Sequence, residues 1–235
     1  MIKPYPVAIL AGGLATRLRP ITEKIPKALL EVAGEPFIAH QLRLLQKSKI
    51  EQVVLCVGFL GEQIKDFVRE GHQFGLQVSY VFDGPQLLGT GGAIKQALPA
   101  LGEAFFILYG DSYLPCDYLA VQTSFEKSKK LALMTVFHND GLWDTSNIEY
   151  SENKIIAYDK KHRTEKMHYI DYGLAVISAQ AFHQISTEGS YDLEFFYQIL
   201  LKENQLAAYE IHQRFYEAGS FKGMQELGQF LQPSL

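Results

Sequence analysis

The stretch Pro6-Val-Ala-Ile-Leu-Ala-Gly-Gly-Leu-Ala-Thr-Arg-Leu-Arg-Pro20 decides how this chain is read. Its opening is a short, continuous apolar run, the pattern of a strand buried on both faces. The run ends directly in Gly12-Gly13. A glycine pair at that point lets backbone N–H groups approach an anion and form a nest around it. Downstream, Arg17 can contact phosphate oxygens with two parallel bonds, and Lys27 adds a mobile point charge. A glycine pair alone is equally a tight turn before a solvated basic loop. The ordered set Thr16, Arg17, Pro20, Pro26 and Lys27 tips the balance towards phosphate binding.

Working outward, residues 52–57 and 104–109 form further buried apolar runs, and Val78, Tyr80 and Phe82 alternate as in a strand. Residues 131–137 add another. Between them, Ile38, Leu42 and Leu45 recur at helical spacing, as do Ile64, Phe67 and Val68. Residues 93–98 read as a helix that stops before Pro99, and Tyr118, Val121 and Phe125 mark one more. This alternation predicts an α/β fold with a Rossmann-like, mostly parallel sheet flanked by helices. Ligands of such sheets bind at the carboxyl ends of the strands. Both Gly12-Gly13 and Asp111 fall at such ends. After about residue 140 the pattern turns β-rich: a hairpin about Ser151-Glu-Asn153, a strand at 169–177, a helix face of Leu193, Phe196, Tyr197 and Leu200, and a last helix at 220–231.

Composition narrows the function classes. The chain has 235 residues, 47% of them hydrophobic, enough for a sizeable core without disulfides or structural metal. A formal net charge of −4 supplies no basic excess for general nucleic-acid binding. Cys56 and Cys116 have no CxxC partner, and the seven histidines lack metal-ligand spacing. The apolar stretch at 7–11 is too short for a signal peptide or membrane span, so the expectation is a cytoplasmic protein without a membrane partner.

The opening segment resembles the signature of the sugar-1-phosphate nucleotidyltransferases, G-G-x-G-T-R-L-x-P-x-T-x-x-x-P-K. The chain agrees at Gly12, Gly13, Thr16, Arg17, Leu18, Pro20, Thr22, Pro26 and Lys27. It departs at Ala15, where the pattern has glycine, and alanine fits there only if the backbone avoids positive φ. Leu88-Gly-Thr-Gly-Gly92 resembles the family's L-G-T-(A/G)-G element, Val32-Ala-Gly-Glu-Pro36 its V-x-G-x-P element, and Gly110-Asp111 its metal-binding G-D. Lys160 takes the place of the (E/D)-K lysine. Phe215-Tyr-Glu-Ala-Gly-Ser220 stands where the family has W-x-D-x-G-(T/S), with Glu217 replacing the second metal-holding aspartate. Ile170-Asp-Tyr-Gly173 replaces the sugar-contacting strand.

The resemblance implies a single domain over residues 1–235, with a nucleotide-binding core to about residue 140 and a smaller β-rich sugar-binding part from about 141 to 235. It implies a magnesium-dependent transfer of a nucleotide from an NTP to a sugar 1-phosphate, with pyrophosphate released. In that reading Leu10, Ala11, Gly12, Gly13, Gln86 and Gly91 contact the nucleotide. Arg17, Lys27 and Asp111 are catalytic, Mg²⁺ sits on Asp111 and Glu217, and Lys160, Asp171 and Gly110 meet the sugar phosphate. In-line displacement needs alignment and charge neutralisation, so no general base and no covalent intermediate is expected. The form of Leu88-Gly-Thr-Gly-Gly92 points to GTP with a mannose- or heptose-type 1-phosphate, as in the short guanylyltransferases. UTP, as in the muramate-phosphate uridylyltransferases, is the alternative. A nucleotide-sugar sensor and a glycosyltransferase stay open as other classes, and a homo-oligomer is possible. The single carboxylate of Asp111-Ser-Tyr113 weighs against the D-x-D pair of a glycosyltransferase.

Overall fold

The computed structural model describes residues 3–184 and 189–232. β1 (Val7–Leu10) leads through Gly12-Gly13 into short 3-10 turns and a tight ribbon of β2 (Glu31–Val32) and β3 (Glu35–Pro36). Then α1 (Phe37–Lys47), β4 (Gln52–Val57), α2 (Gly61–Val68), β5 (Gln77–Phe82), α3 (Gly89–Leu101) and β6 (Ala104–Tyr109) alternate. β7 (Ser112–Tyr113), α4 (Tyr118–Ser128) and β8 (Ala132–His138) complete the first part. The second holds the hairpin β9 (Ile148–Ser151) and β10 (Lys154–Tyr158), the long β11 (Tyr169–Ser178), α5 (Ala179–Gln184), α6 (Leu193–Lys202), β12 (Leu206–Ile211), β13 (Tyr216–Glu217) and α7 (Phe221–Leu231).

One nine-stranded sheet runs through both parts in the order β10-β9-β11-β6-β1-β4-β5, with β8 and β12 branching from β11. β1 pairs in parallel with β4 and β6, and β4 with β5. The ends of β6, β1, β4 and β5 therefore share one edge. β11 runs antiparallel to both β6 and β8, while β12 lies parallel to β8. A parallel core with an antiparallel extension is the result.

Successive strand residues point to opposite faces, so each face of the sheet acquires its own apolar layer. Val7 and Ile9 pack with α1, α2 and α4 through Leu42, Leu45, Ile64, Val68 and Val121. Ala8 turns the other way, towards Ile94 and Ala97 of α3 and Phe196 and Leu200 of α6. A third, smaller cluster of Val32, Phe37, Tyr113, Ala218 and Leu227 seats α7 against the β2–β3 ribbon. Among the described residues, no helix is long and apolar enough to cross a membrane.

Several elements differ from the sequence reading. α3 begins four residues early and continues through Pro99. Its first amides are satisfied from elsewhere in the chain, by the Tyr191 carbonyl and the Asp192 carboxylate, and the helix runs two residues past Pro99 although that ring offers no N–H to the preceding turn. β12 was not expected, because Leu-Ala-Ala-Tyr-Glu-Ile has weak strand propensity; six consecutive pairings with β8 override it. The β7–β13 ribbon joins segments a hundred residues apart and has no local signal.

Where β1 and β6 meet, a Cβ on Gly110 would be driven into the Leu10 carbonyl oxygen, whereas one on Gly13 would meet nothing within 4 Å. Gly110→Ala is therefore expected to lose about 1–3 kcal/mol of stability in urea titrations. Gly13→Ala is expected to stay within about 0.5 kcal/mol of the parent.

Candidate active site

The carboxyl ends of β6, β1, β4 and β5 carry Asp111, Gly12, Gly58 and Asp83 in turn, and a cavity of about 320 Å³ lies across them. The backbones of Asp111 and Asp83 are three strand spacings apart, roughly 14 Å. Leu10, Ala11, Gly12 and Gly13 form the floor, Lys27 and Asp111 one part of the lining, and Asp83, Leu87, Gly89, Thr90 and Asp192 another. Cys56 also faces this cavity. Burial, with the Asp83 charge nearby, pushes its thiol up to about 12, so it is a neutral apolar wall.

Asp111 is the most heavily supported of these groups. The Lys27 ammonium lies 2.6 Å from its Oδ2. The buried Gln41 of α1 donates to the Tyr109 and Ser112 carbonyls, fixing the backbone on either side of Gly110-Asp111. The β7–β13 ribbon pairs Glu217 with Ser112, and the Ala218 N–H donates to the Asp111 carbonyl. Asp111 Oδ2, Glu217 Oε2 and an Arg17 guanidinium nitrogen all lie within 3.3 Å of the point a Cβ on Gly219 would occupy. Glu217 is held by the Gly219 N–H and the Ser220 hydroxyl. Among the described residues no set of three or more metal-ligating side chains converges. A pair of carboxylates completed by phosphate oxygens and water is nevertheless the donor set that Mg²⁺ takes, so Asp111 and Glu217 fit that ion.

A second cavity, about 440 Å³, adjoins the first and shares Tyr109 and Asp111 with it. Arg17, Lys160, Asp171 and Glu217 line it, together with Trp143, Asp144 and Arg163. Lys160 is caged: its ammonium sits 3.8 Å from Asp171 and over the rings of Tyr109 and Tyr158, at 5.4 and 5.8 Å. The Asp171 side chain is only 6% exposed and accepts from the Gly173 N–H. Burial, reinforced by the Asp171 charge, holds the Tyr109 hydroxyl well above its usual range, so it stays protonated.

The pattern of the nucleotidyl transferase family matches residues 7–192. The chain belongs to that family. Among curated relatives, the D-glycero-alpha-D-manno-heptose 1-phosphate guanylyltransferase of Campylobacter jejuni subsp. jejuni serotype O:2 is 27% identical over 190 residues, 81% of this chain and 83% of that protein. The UTP–glucose-1-phosphate uridylyltransferase of Synechocystis sp. is 28% identical over 201 residues, which is 79% of this chain and 52% of that protein. The chain thus spans about half the length of the cyanobacterial enzyme. Among solved structures, HddC from Yersinia pseudotuberculosis, complexed with GMP-PN, gives a TM-score of 0.81 at 22% identity, covering 97% of this chain and all of that one. At that identity the likeness is one of fold.

Within this member of the family, the expected site residues divide. Leu10, Ala11, Gly12, Gly13, Lys27 and Asp111 meet at the first cavity, and Lys160, Asp171, Glu217 and Asp111 at the second. Arg17 lines the second rather than the first. Gly110 lines the first, and its role is close approach of β6 to β1. Gln86 is exposed and lies outside both linings; its neighbour Leu87 takes the wall. Gly91 is buried away from the cavity: its N–H donates to the Tyr191 carbonyl, and the absent side chain makes room for the Tyr191 ring. Asp83, Asp192, Tyr109 and Gln41 were not singled out from sequence. A signal existed for Asp83, a carboxylate directly after an alternating strand.

Ala15 overturns a condition set from sequence. Its backbone is left-handed, φ 47° and ψ 46°, the conformation that favours glycine. The buried Thr22 hydroxyl, which donates to the Ala15 carbonyl, helps hold it there. Ala15→Gly should therefore raise stability by up to about 1 kcal/mol, since the relieved strain exceeds the added freedom of the unfolded chain. Urea denaturation checks this, and a destabilised variant would contradict it.

Proposed function

We propose that this protein condenses GTP with a mannose- or heptose-type sugar 1-phosphate, forming a GDP-sugar and pyrophosphate. Two adjoining cavities that share Asp111 suit a two-substrate transfer, the nucleotide lying in the first and the sugar phosphate in the second. A phosphate oxygen of the sugar phosphate forms a bond to the α-phosphorus. The bond from that phosphorus to the bridging oxygen breaks, and pyrophosphate leaves with the electron pair. The N–H groups around Gly12-Gly13 hold the triphosphate, and Lys27 and Arg17 balance charge where the cavities join. Lys160, restrained by Asp171 and two tyrosine rings, aims the attacking phosphate. Asp111 and Glu217 would hold Mg²⁺, which would supply further neutralisation of phosphate charge. Every step is one of placement and electrostatics, so no proton-abstracting base is required.

The single observation carrying the choice of GTP is Asp83. Its carboxylate only accepts hydrogen bonds, and it lines the nucleotide cavity beside Gly12 and Gly58. Guanine presents two adjacent donors, N1–H and the N2 amino group, to such an acceptor. Uracil flanks its one N–H with two carbonyl oxygens, which a carboxylate repels. The Campylobacter relative, a guanylyltransferase, supports this choice. The Synechocystis uridylyltransferase makes UTP the competitor to test.

Pyrophosphate release, measured with Mg²⁺ across four nucleoside triphosphates and a panel of sugar 1-phosphates, should require GTP. Asp111→Ala should lower kcat by about 10²–10³. Near-normal turnover in that variant at low magnesium would remove Asp111 from the reaction. Asp83→Asn should lower kcat/KM for GTP by at least about tenfold and narrow the gap to UTP, because an amide offers uracil both a donor and an acceptor.

Burial raises the pKa of Asp83, partly offset by the Leu88 backbone. GTP affinity should therefore fall, as pH is lowered, at a higher pH than an ordinary aspartate would dictate. For the unliganded protein the sign is opposite. Its partly buried Asp83 takes up a proton more readily than in the unfolded chain, so this group's contribution to stability grows as pH falls. Asp83→Asn should raise the melting temperature of the unliganded protein at neutral pH.

A further inference from the structure

The segment joining β8 to β9 lies against the second cavity, and it is built rather than loose. Asn139, fully buried, holds it from inside: its Nδ2 donates to the Asp144 carbonyl at 2.7 Å and to the Ser146 hydroxyl at 3.1 Å, and its Oδ1 accepts from the Trp143 N–H. The Leu142 N–H donates to the Asn139 carbonyl and the Gly141 N–H to Ser146. From outside, the Arg214 guanidinium lies 3.4 Å from the centroid of the Trp143 ring, with Tyr216 packed on the same guanidinium and Glu226 of α7 ion-paired to it. One side of the indole is thus covered by Arg214, and the ring forms part of the wall of the second cavity beside Asp144.

A ring recruited for packing would be buried. Trp143 keeps 44% of its surface exposed although hydrogen bonds and a stacked cation fix its position. Its neighbour Asp144 has one carboxylate oxygen bonded to the Thr145 N–H and can accept from a ligand hydroxyl. An aromatic face next to a carboxylate matches the surface of a pyranose, whose C–H groups form an apolar face and whose hydroxyls project from its rim.

We propose that Trp143 is a specificity-determining residue, the platform on which the sugar ring of the substrate stacks, with Asp144 accepting from a ring hydroxyl. Asn139 and Arg214 act through it as positioning residues. This rests on the reading of the second cavity as the sugar-phosphate site.

Trp143 is the sole tryptophan of the chain, so intrinsic emission reports it alone. The full-length protein is titrated with GDP-mannose and, separately, with GDP, following tryptophan emission and heat in parallel. Emission should change with GDP-mannose and stay constant with GDP, although calorimetry records binding of both. Trp143→Ala should weaken GDP-mannose about three- to tenfold, the worth of one aromatic contact, and leave GDP unchanged; Trp143→Phe should recover most of the loss. Calorimetric binding of GDP-mannose with unchanged emission, or an unchanged affinity in a folded Trp143→Ala protein, overturns the platform while leaving the transferase reading intact. Absence of both GDP-mannose and GDP binding by the parent protein overturns the guanylyltransferase reading and the platform with it, and binding of GDP alone overturns the platform for a mannose-type sugar.

Discussion

Parallel pairing of β1 with both β4 and β6 is the constraint on which the site depends. It carries the chain back across the sheet after each strand, so that Gly12, Gly58, Asp83 and Asp111 all emerge at one edge. Had β6 run the other way, Asp111 would lie at the far edge, a full strand length from the glycine pair. The pairing is secured by apolar layers on both faces and by close backbone approach at Gly110, where the N–H donates to the Leu10 carbonyl. Fold stability and site geometry are therefore the same set of contacts at this edge.

Charge is arranged in matched pairs at that edge. Lys27 meets Asp111, Lys160 meets Asp171, and Arg17 lies near Asp111 and Glu217. Such partly exposed pairs contribute little to folding, because solvent screens them and desolvation opposes them. In the proposed reaction their use is positional: each cation is already aimed where phosphate would arrive, which lowers the ordering cost of binding. Asp83 differs, since burial disfavours its charge. A carboxylate kept at that cost in a ligand cavity is the usual trade of stability for recognition.

Behind these groups stands a layer of buried polar side chains. Gln41 ties the β6–β7 backbone, Thr22 braces Ala15, and Asn139 organises the segment bearing Trp143. Each uses its hydrogen bonds to fix backbone that an irregular loop could not fix alone. The loops at this edge are thereby held without forming regular structure.

Local sequence determined the strands and most helices of the first half, because continuous apolar runs and helical spacing report burial directly. It also set the glycine freedom at Gly12-Gly13 and the basic charge at Arg17 and Lys27, since both are properties of the residues themselves. The tertiary structure alone decided which groups meet. Nothing local in Phe-Tyr-Glu-Ala-Gly-Ser places Glu217 beside Asp111; the two-residue β7–β13 ribbon does. Gly91 looked like a ligand contact and is a packing position under Tyr191, while Gln86 lies outside both cavities and Asp83 lines one. Propensity likewise missed β12 and the first turn of α3, because the deciding hydrogen bonds come from β8 and from residues 191–192. Periodicity encodes which way a side chain faces within its own element. The partner on the other side is set by packing between elements far apart in the chain.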